Sequence, residues 1–177
     1  MIPLLETERL QLVTPAIEHY FLYKRLHHKN TQEQLDIYEV NSSVWKDLCA
    51  DIGSWYLRGV GIWVVKHKQT NIQLGRCGFW REKSQPTKLV LDLTAAAVDM
   101  MVEVELVINV FAYSRHRWRL SDVSVNTYNL SKRLQRVLDE NFVSLEVLKT
   151  HRCDKRYSLE NVPFLNWGAG RIETNYL

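Results

Sequence analysis

The order of apolar and polar residues divides the chain into alternating strand-like and helix-like stretches. Leu4–Val13 ends with Leu10 and Leu12 on one side and Arg9 and Gln11 on the other, the pattern of a half-buried strand. Thr14-Pro15 breaks it and predicts a helix over Ala16–His28, with Ile17, Tyr20, Phe21 and Leu22 as its apolar face. Asn30–Glu39 is polar and reads as a loop or short helix. Asn41-Ser42-Ser43 is a cap cluster, and Val44, Leu48, Ile52 and Trp55 then fall on one helical face that ends near Leu57, before Gly59. Ile62–His67 and Ile72–Trp80 predict a hairpin about the polar turn Lys68–Asn71. Gly75 and Gly78 in its second arm mark a bulge or a close backbone approach.

After a charged loop, Glu82–Thr87, the run Lys88–Leu93 predicts a further strand. Val102–Tyr113 reads as a short helix and Trp118–Val125 as a strand. Asn129 is placed to cap a helix over Leu130–Glu140, with Leu130, Leu134, Val137 and Leu138 inward and Asn141 as its left-handed end. Phe142–Thr150 and Asp154–Asn161 are two last strands. The tail around Gly168-Ala169-Gly170 has little to anchor it. This order predicts a single α/β (α+β) domain over residues 1–177: a mixed twisted sheet of six or seven strands with helices on both faces. Lys88–Val125 forms one crossover between near-parallel strands. Leu10, Leu12, Val64, Leu91, Leu120 and Val123 are its expected buried strand residues.

A chain of 177 residues can bury a core without disulfides or metal. Cys49, Cys77 and Cys153 are odd in number and widely spaced, and no metal-ligand spacing occurs, so reduced thiols in a cytoplasmic protein are expected. No apolar run is long enough for a membrane span, and the acidic start does not fit a signal peptide. The net charge of +3 is too small to argue for nucleic acid. The basic cluster Ser114–Arg119 reads most simply as a solvated lead-in to a strand. Six Trp and eight Tyr are read first as packing residues.

Between a strand and a helix, Thr94–Glu105 occupies a place that often holds a phosphate on free backbone N–H groups. It contains no glycine, Lys or Arg, and it carries Asp99, Glu103 and Glu105. Backbone dihedrals suited to an anion nest are disfavoured there, and the carboxylates would repel the anion. The expectation is that this segment makes no working phosphate cradle.

Three segments together resemble the GNAT acetyltransferases, and most closely the branch that acetylates N-termini of ribosomal proteins and related amines. Leu5-Glu6-Thr7-Glu8-Arg9-Leu10-Gln11-Leu12 is similar to that branch's opening L-x-T-E-R-L-x-L. Trp63–Phe79 resembles its central hairpin, and Arg119–Phe142 its late strand and helix, with Asn129-Leu130-Ser131 near N-x-x-S and R-V-L-D-E-N-F near R-V-L-E-K-L-G-F. The loop pattern (Q/R)-x-x-G-x-(G/A) is absent from Thr94–Val104. Aligning Arg115–Asp122 with it instead also leaves both glycines missing.

The resemblance implies an acyl-CoA-dependent N-acetyltransferase with acetyl-CoA as cofactor, weakly held. Its acceptor would be an amine, on a small molecule or a protein N-terminus. It also implies roles for particular residues: Asp92 as the base, Ser131 or Tyr128 as the proton donor, backbone at Leu91 and Leu93 on the acyl carbonyl, and Asn129 and Ser131 on the pantetheine arm. Each has a plainer reading: Asp92 as a strand carboxylate paired with an arginine, Asn129 and Ser131 as helix caps. The alternative function is a scaffold of the same fold that has lost the cofactor and binds a protein or ligand. A nucleic-acid role through Arg115–Arg119 is a third and weaker reading. Trp167 and Tyr176 would suit a homodimer.

Overall fold

The computed structural model describes residues 4–30, 37–81, 86–128, 130–147, 154–160 and 162. Among the described residues eight strands form one mixed sheet: β1 (Leu5–Glu6), β2 (Leu10–Val13), β3 (Ile62–His67), β4 (Gln73–Trp80), β5 (Lys88–Leu93), β6 (Asp122–Asn126), β7 (Ser144–Val147) and β8 (Asp154–Ser158). Their order is β1-β2-β3-β4-β5-β6-β8-β7. Every neighbouring pair is antiparallel except β5 and β6, which run parallel. The chain makes that crossover through α3 (Ala95–Asp99) and α4 (Glu103–Trp118). Helices α1 (Tyr20–Asn30) and α2 (Ile37–Arg58) precede the central hairpin, and α5 (Lys132–Asn141) follows β6.

Both faces of the sheet are covered, as a mixed sheet with crossover helices requires. Alternation in β3 splits its side chains between two cores. Trp63 and Val65 join Leu106, Val110, Phe111, Leu134 and Leu138 of α4 and α5, while Val64 packs with Leu22, Leu26, Val44 and Leu48 of α1 and α2. Leu10, Leu12, Val64 and Val123 are fully buried, as their positions in the strands predict; Leu91 and Leu120 are half-buried.

Several boundaries differ from the sequence reading, each for a local reason. Ile17–His19 is a 3-10 turn, which shifts the phase of the helix after it. Ile17 and Phe21 are therefore exposed, and Leu22, Tyr23 and Leu26 face inward. The second helix begins at Ile37, so Asn41 lies inside it; its side-chain oxygen accepts a hydrogen bond from the Tyr20 hydroxyl at 3.1 Å rather than capping. Ser114–Trp118 extends α4 instead of leading into a strand. Arg115, His116 and Arg117 in the last turn suit the negative end of the helix. Trp118 turns back into the core, stacked on Trp63 at 5.3 Å with Phe79 and Tyr113 edge-on, so the aromatic of the basic cluster is a packing residue. Asn141 stays in the helix with its side-chain amide on the Val137 carbonyl, and the extended Phe142 ends it.

The two glycines of β4 mark real close approaches. A Cβ on Gly78 would lie 2.3 Å from the Gly61 carbonyl oxygen, and one on Gly75 would lie 2.2 Å from that of Asp92. Both neighbours are backbone and cannot move aside cheaply. Gly78→Ala is expected to destabilise the protein by about 3 kcal/mol, read as a lower urea midpoint at unchanged slope. A midpoint equal to the parent's would contradict this packing.

Candidate active site

The parallel pair β5 and β6 registers at a single position, Lys88 opposite Ser124. Beyond it the strands part. A cleft of about 220 Å³ opens between them, lined by Leu89, Val90, Leu91, Asp92, Val125, Asn126 and Leu130. The other edge of β5 is paired with β4 along its whole length. The cleft-side edge of Leu89–Asp92 thus offers backbone groups with no strand partner, the kind of edge that takes up an extended amide-bearing ligand.

Asp92 lines this cleft and belongs to a charge cluster beneath it. Arg76 of β4 donates from Nε to Asp92 Oδ2 at 2.7 Å and from Nη1 to Asp51 Oδ2 at 3.1 Å. The same Asp51 oxygen accepts the Tyr23 hydroxyl at 2.6 Å, and the guanidinium lies over the Tyr23 ring. One cation therefore serves two carboxylates contributed by α2 and β5. Burial raises the Asp51 carboxyl above the usual range, with Arg76 opposing it, and burial with the adjacent Asp51 raises the Tyr23 phenol well above its ordinary value.

The other expected site residues fall differently. Ser131 is the N-cap of α5: its hydroxyl accepts the Leu134 N–H at 3.1 Å and donates to Glu103. The helix thus starts at Lys132, two residues beyond the expected start, with Ser131 as the cap. Tyr128 is exposed, its backbone N–H held by Asn126 Oδ1, on the turn whose flanking residues Asn126 and Leu130 line the cleft. Leu91 lines the cleft, whereas Leu93 is buried. Asn129, Trp167 and Tyr176 lie outside the described residues. Cys77 is fully buried, and burial pushes its thiol far up, so it is no nucleophile. Among the described residues no His/Cys/Asp/Glu group could hold a metal ion, and no helix is long and apolar enough to cross a membrane.

Thr94–Glu105 is not an open loop. Ala95–Asp99 is helical, and Met101 (φ +51°) makes the turn into α4. The amides of Met100, Met101 and Val102 are spent on the carbonyls of Ala96, Val98 and Ala97. Two of the segment's three carboxylates, Glu103 and Glu105, are engaged too. Glu105 accepts the Thr7 hydroxyl at 2.5 Å, the Arg9 N–H at 2.9 Å and Arg9 Nε at 2.6 Å, and Arg9 also donates to the Met100 carbonyl. The expectation of three repelling carboxylates with no nearby cation is corrected at Glu105, whose partner lies 96 residues away in the chain. Sequence reasoning missed this strap, although Thr7 and Arg9 stand in the most specific motif of the chain.

No family model and no curated protein matches the sequence. Solved structures do. An acetyltransferase from Agrobacterium tumefaciens is similar with TM-score 0.70 and 18% identity, over 89% of this chain and 94% of that one. A GNAT-family acetyltransferase from Bacillus anthracis matches at 0.60 and 10%, over 88% and 96%. The chain has the GNAT acetyltransferase fold. At such identities the likeness extends to the fold alone. A microcin self-immunity acetyltransferase solved with acetyl-CoA and AMP shares the GNAT-like architecture at TM-score 0.61 and 12% identity, over 86% and 92%.

The Glu105 strap makes a pH-dependent contribution. Its hydrogen bonds from Thr7 and Arg9 hold the carboxyl below its ordinary value against the opposing effect of burial. A depressed folded value means the stabilisation is complete above the unfolded value near 4.5 and is lost as pH falls through the folded one. Glu105→Gln is expected to lower the melting temperature at pH 7 and to reduce the loss of stability between about pH 4.5 and 3. Parallel stability–pH curves for the two proteins would contradict the strap.

Proposed function

We propose that the chain is an acyl-CoA-dependent N-acetyltransferase acting on an amine. The observation that carries this reading is the parting of β5 and β6 beyond Lys88 and Ser124, which leaves an unpaired strand edge beside a carboxylate. The fold shared with a protein solved with acetyl-CoA supports it. The residues present fit the cofactor unevenly. The Leu89–Asp92 edge suits the amides of a pantetheine arm. The diphosphate would be left with the first turn of α4, because the amides of Met100, Met101 and Val102 before it are already used.

Acetyl-CoA, when bound, supplies an activated thioester acyl group. The backbone N–H of Leu91 would hold the acyl carbonyl oxygen and favour the charge that develops there. Asp92 takes a proton from the attacking amine, directly or through a water. Its Oδ2 is held by Arg76, which fixes the carboxyl's orientation and leaves Oδ1 for the incoming group. Tyr128, at the rim, would return a proton to the departing sulfur. Ser131 has no part in this scheme, since both functions of its hydroxyl are committed within the fold.

The expected cofactor affinity is weak, because a cradle of loop amides is missing. Calorimetric titration with acetyl-CoA at moderate salt should show binding, tightened when Asp99 is changed to Asn. Thiol release in the presence of primary amines should fall about 100-fold or more in Asp92→Asn, with acetyl-CoA affinity retained. A well-folded protein that binds no acetyl-CoA would overturn the enzyme reading and leave a scaffold turned to another ligand.

A further inference from the structure

We propose that the cavity at the leading ends of β5 and β6 is a second binding site, for a small molecule carrying a phosphate group. The cavity holds about 430 Å³ and is lined by Arg81, Pro86, Thr87, Trp118, Arg119, Leu120, Ser121, Asp122 and Arg156. That is room for a phosphate and a small organic portion. It lies on the far side of the Lys88–Ser124 pair from the acyl cleft, its lining residue Thr87 about 17 Å from Asp92 at the rise of an extended strand. The two sites share no lining residue.

Its charge is one-sided. Three guanidinium groups meet one carboxylate, and that carboxylate is already taken: Arg156 Nε donates to Asp122 Oδ1 at 2.7 Å, and the Ser121 hydroxyl donates to Oδ2. Neither Arg81 nor Arg119 forms an ion pair with another described residue, so among the described residues the charge around the cavity is net positive. Planar guanidinium forks suit the oxygens of a phosphate dianion. Pro86, Leu120 and the Trp118 edge supply an apolar wall for the rest of a ligand.

The backbone at Arg119 is a second and independent observation. It ends α4 in the left-handed conformation (φ +52°), with the N–H groups of Arg119 and Leu120 both on the Ser114 carbonyl. Glycine is the relaxed residue at such a helix end. An arginine there accepts strain at a residue that lines the cavity. Those two N–H groups also mask a carbonyl of the helix end that would otherwise repel an anion. At the other side, Arg58 donates to the Arg81 carbonyl at 2.6 Å and fixes the backbone that carries Arg81.

The test is titration of the full chain with inorganic phosphate at constant ionic strength, read by tryptophan fluorescence and by melting temperature. Saturable binding is expected, with chloride inert and acetyl-CoA not competing. Arg119→Gly keeps the left-handed turn in its relaxed form and removes the guanidinium, so the fold should be as stable or more stable while phosphate affinity falls about tenfold. Arg81→Gln should weaken binding similarly, and Arg136→Gln on the exposed face of α5 should leave it unchanged. A non-saturating response, displacement by acetyl-CoA, unchanged affinity in Arg119→Gly and Arg81→Gln, or an equal loss in Arg136→Gln would each overturn the proposal.

Discussion

Arg76 is the residue on which the two halves of the structure depend. It carries one positive charge into the sheet, with its side chain only 18% exposed, and satisfies Asp51 and Asp92 at once. A buried carboxylate without its partner costs several kcal/mol, so Asp51, with its side chain 4% exposed, depends on the guanidinium most. The arrangement ties α1 and α2, through Tyr23 and Asp51, to the strand that borders the cleft. It also sets the one acidic side chain of the cleft in a fixed orientation. One charge is shared among four elements, α1, α2, β4 and β5.

Two close approaches complete this frame. Gly75 lets β4 draw against the Asp92 carbonyl, and Gly78 lets it draw against Gly61, so Arg76 lies between two points where only glycine fits. The strap from Thr7 and Arg9 to Glu105 then pins the start of α4 to the opening strands. The beginning of that helix is where an anion would be held, and the strap decides which way one of its carboxylates points.

The sequence made the strands legible because period-two alternation and glycine punctuation are local signals. Ile62–His67 and Lys88–Leu93 agree with the observed β3 and β5 to the residue. Helix ends were less legible. Ser114–Trp118 has the charges of a solvated segment, yet its tryptophan is claimed by Trp63 and Phe79 from strands 55 and 39 positions earlier, and tertiary packing outweighs the local reading. Asn41 carries a cap signature that a partner in another helix absorbs. Of the site, Asp92 and the Leu91 edge were visible as strand residues, and the Ser131 cap as a helix signal. The Asp51–Arg76–Tyr23 cluster was not, since its members are 25 and 28 residues apart and each looks ordinary in its own segment. The resemblance in Leu5–Leu12 pointed to the fold, while the function of Thr7 and Arg9 as a strap emerged only in three dimensions.

The central claim is that the unpaired edge of β5 receives the acyl donor. Amide hydrogen exchange with and without saturating acetyl-CoA tests it most directly. The account predicts that protection concentrates in Leu89–Asp92 and in the first turn of α4, with Met100–Val102 little changed because their amides are already bonded within the chain. Protection that falls on Met100–Val102 and spares Leu89–Asp92 would contradict it, and would show a rebuilt loop rather than the strand edge as the site of capture.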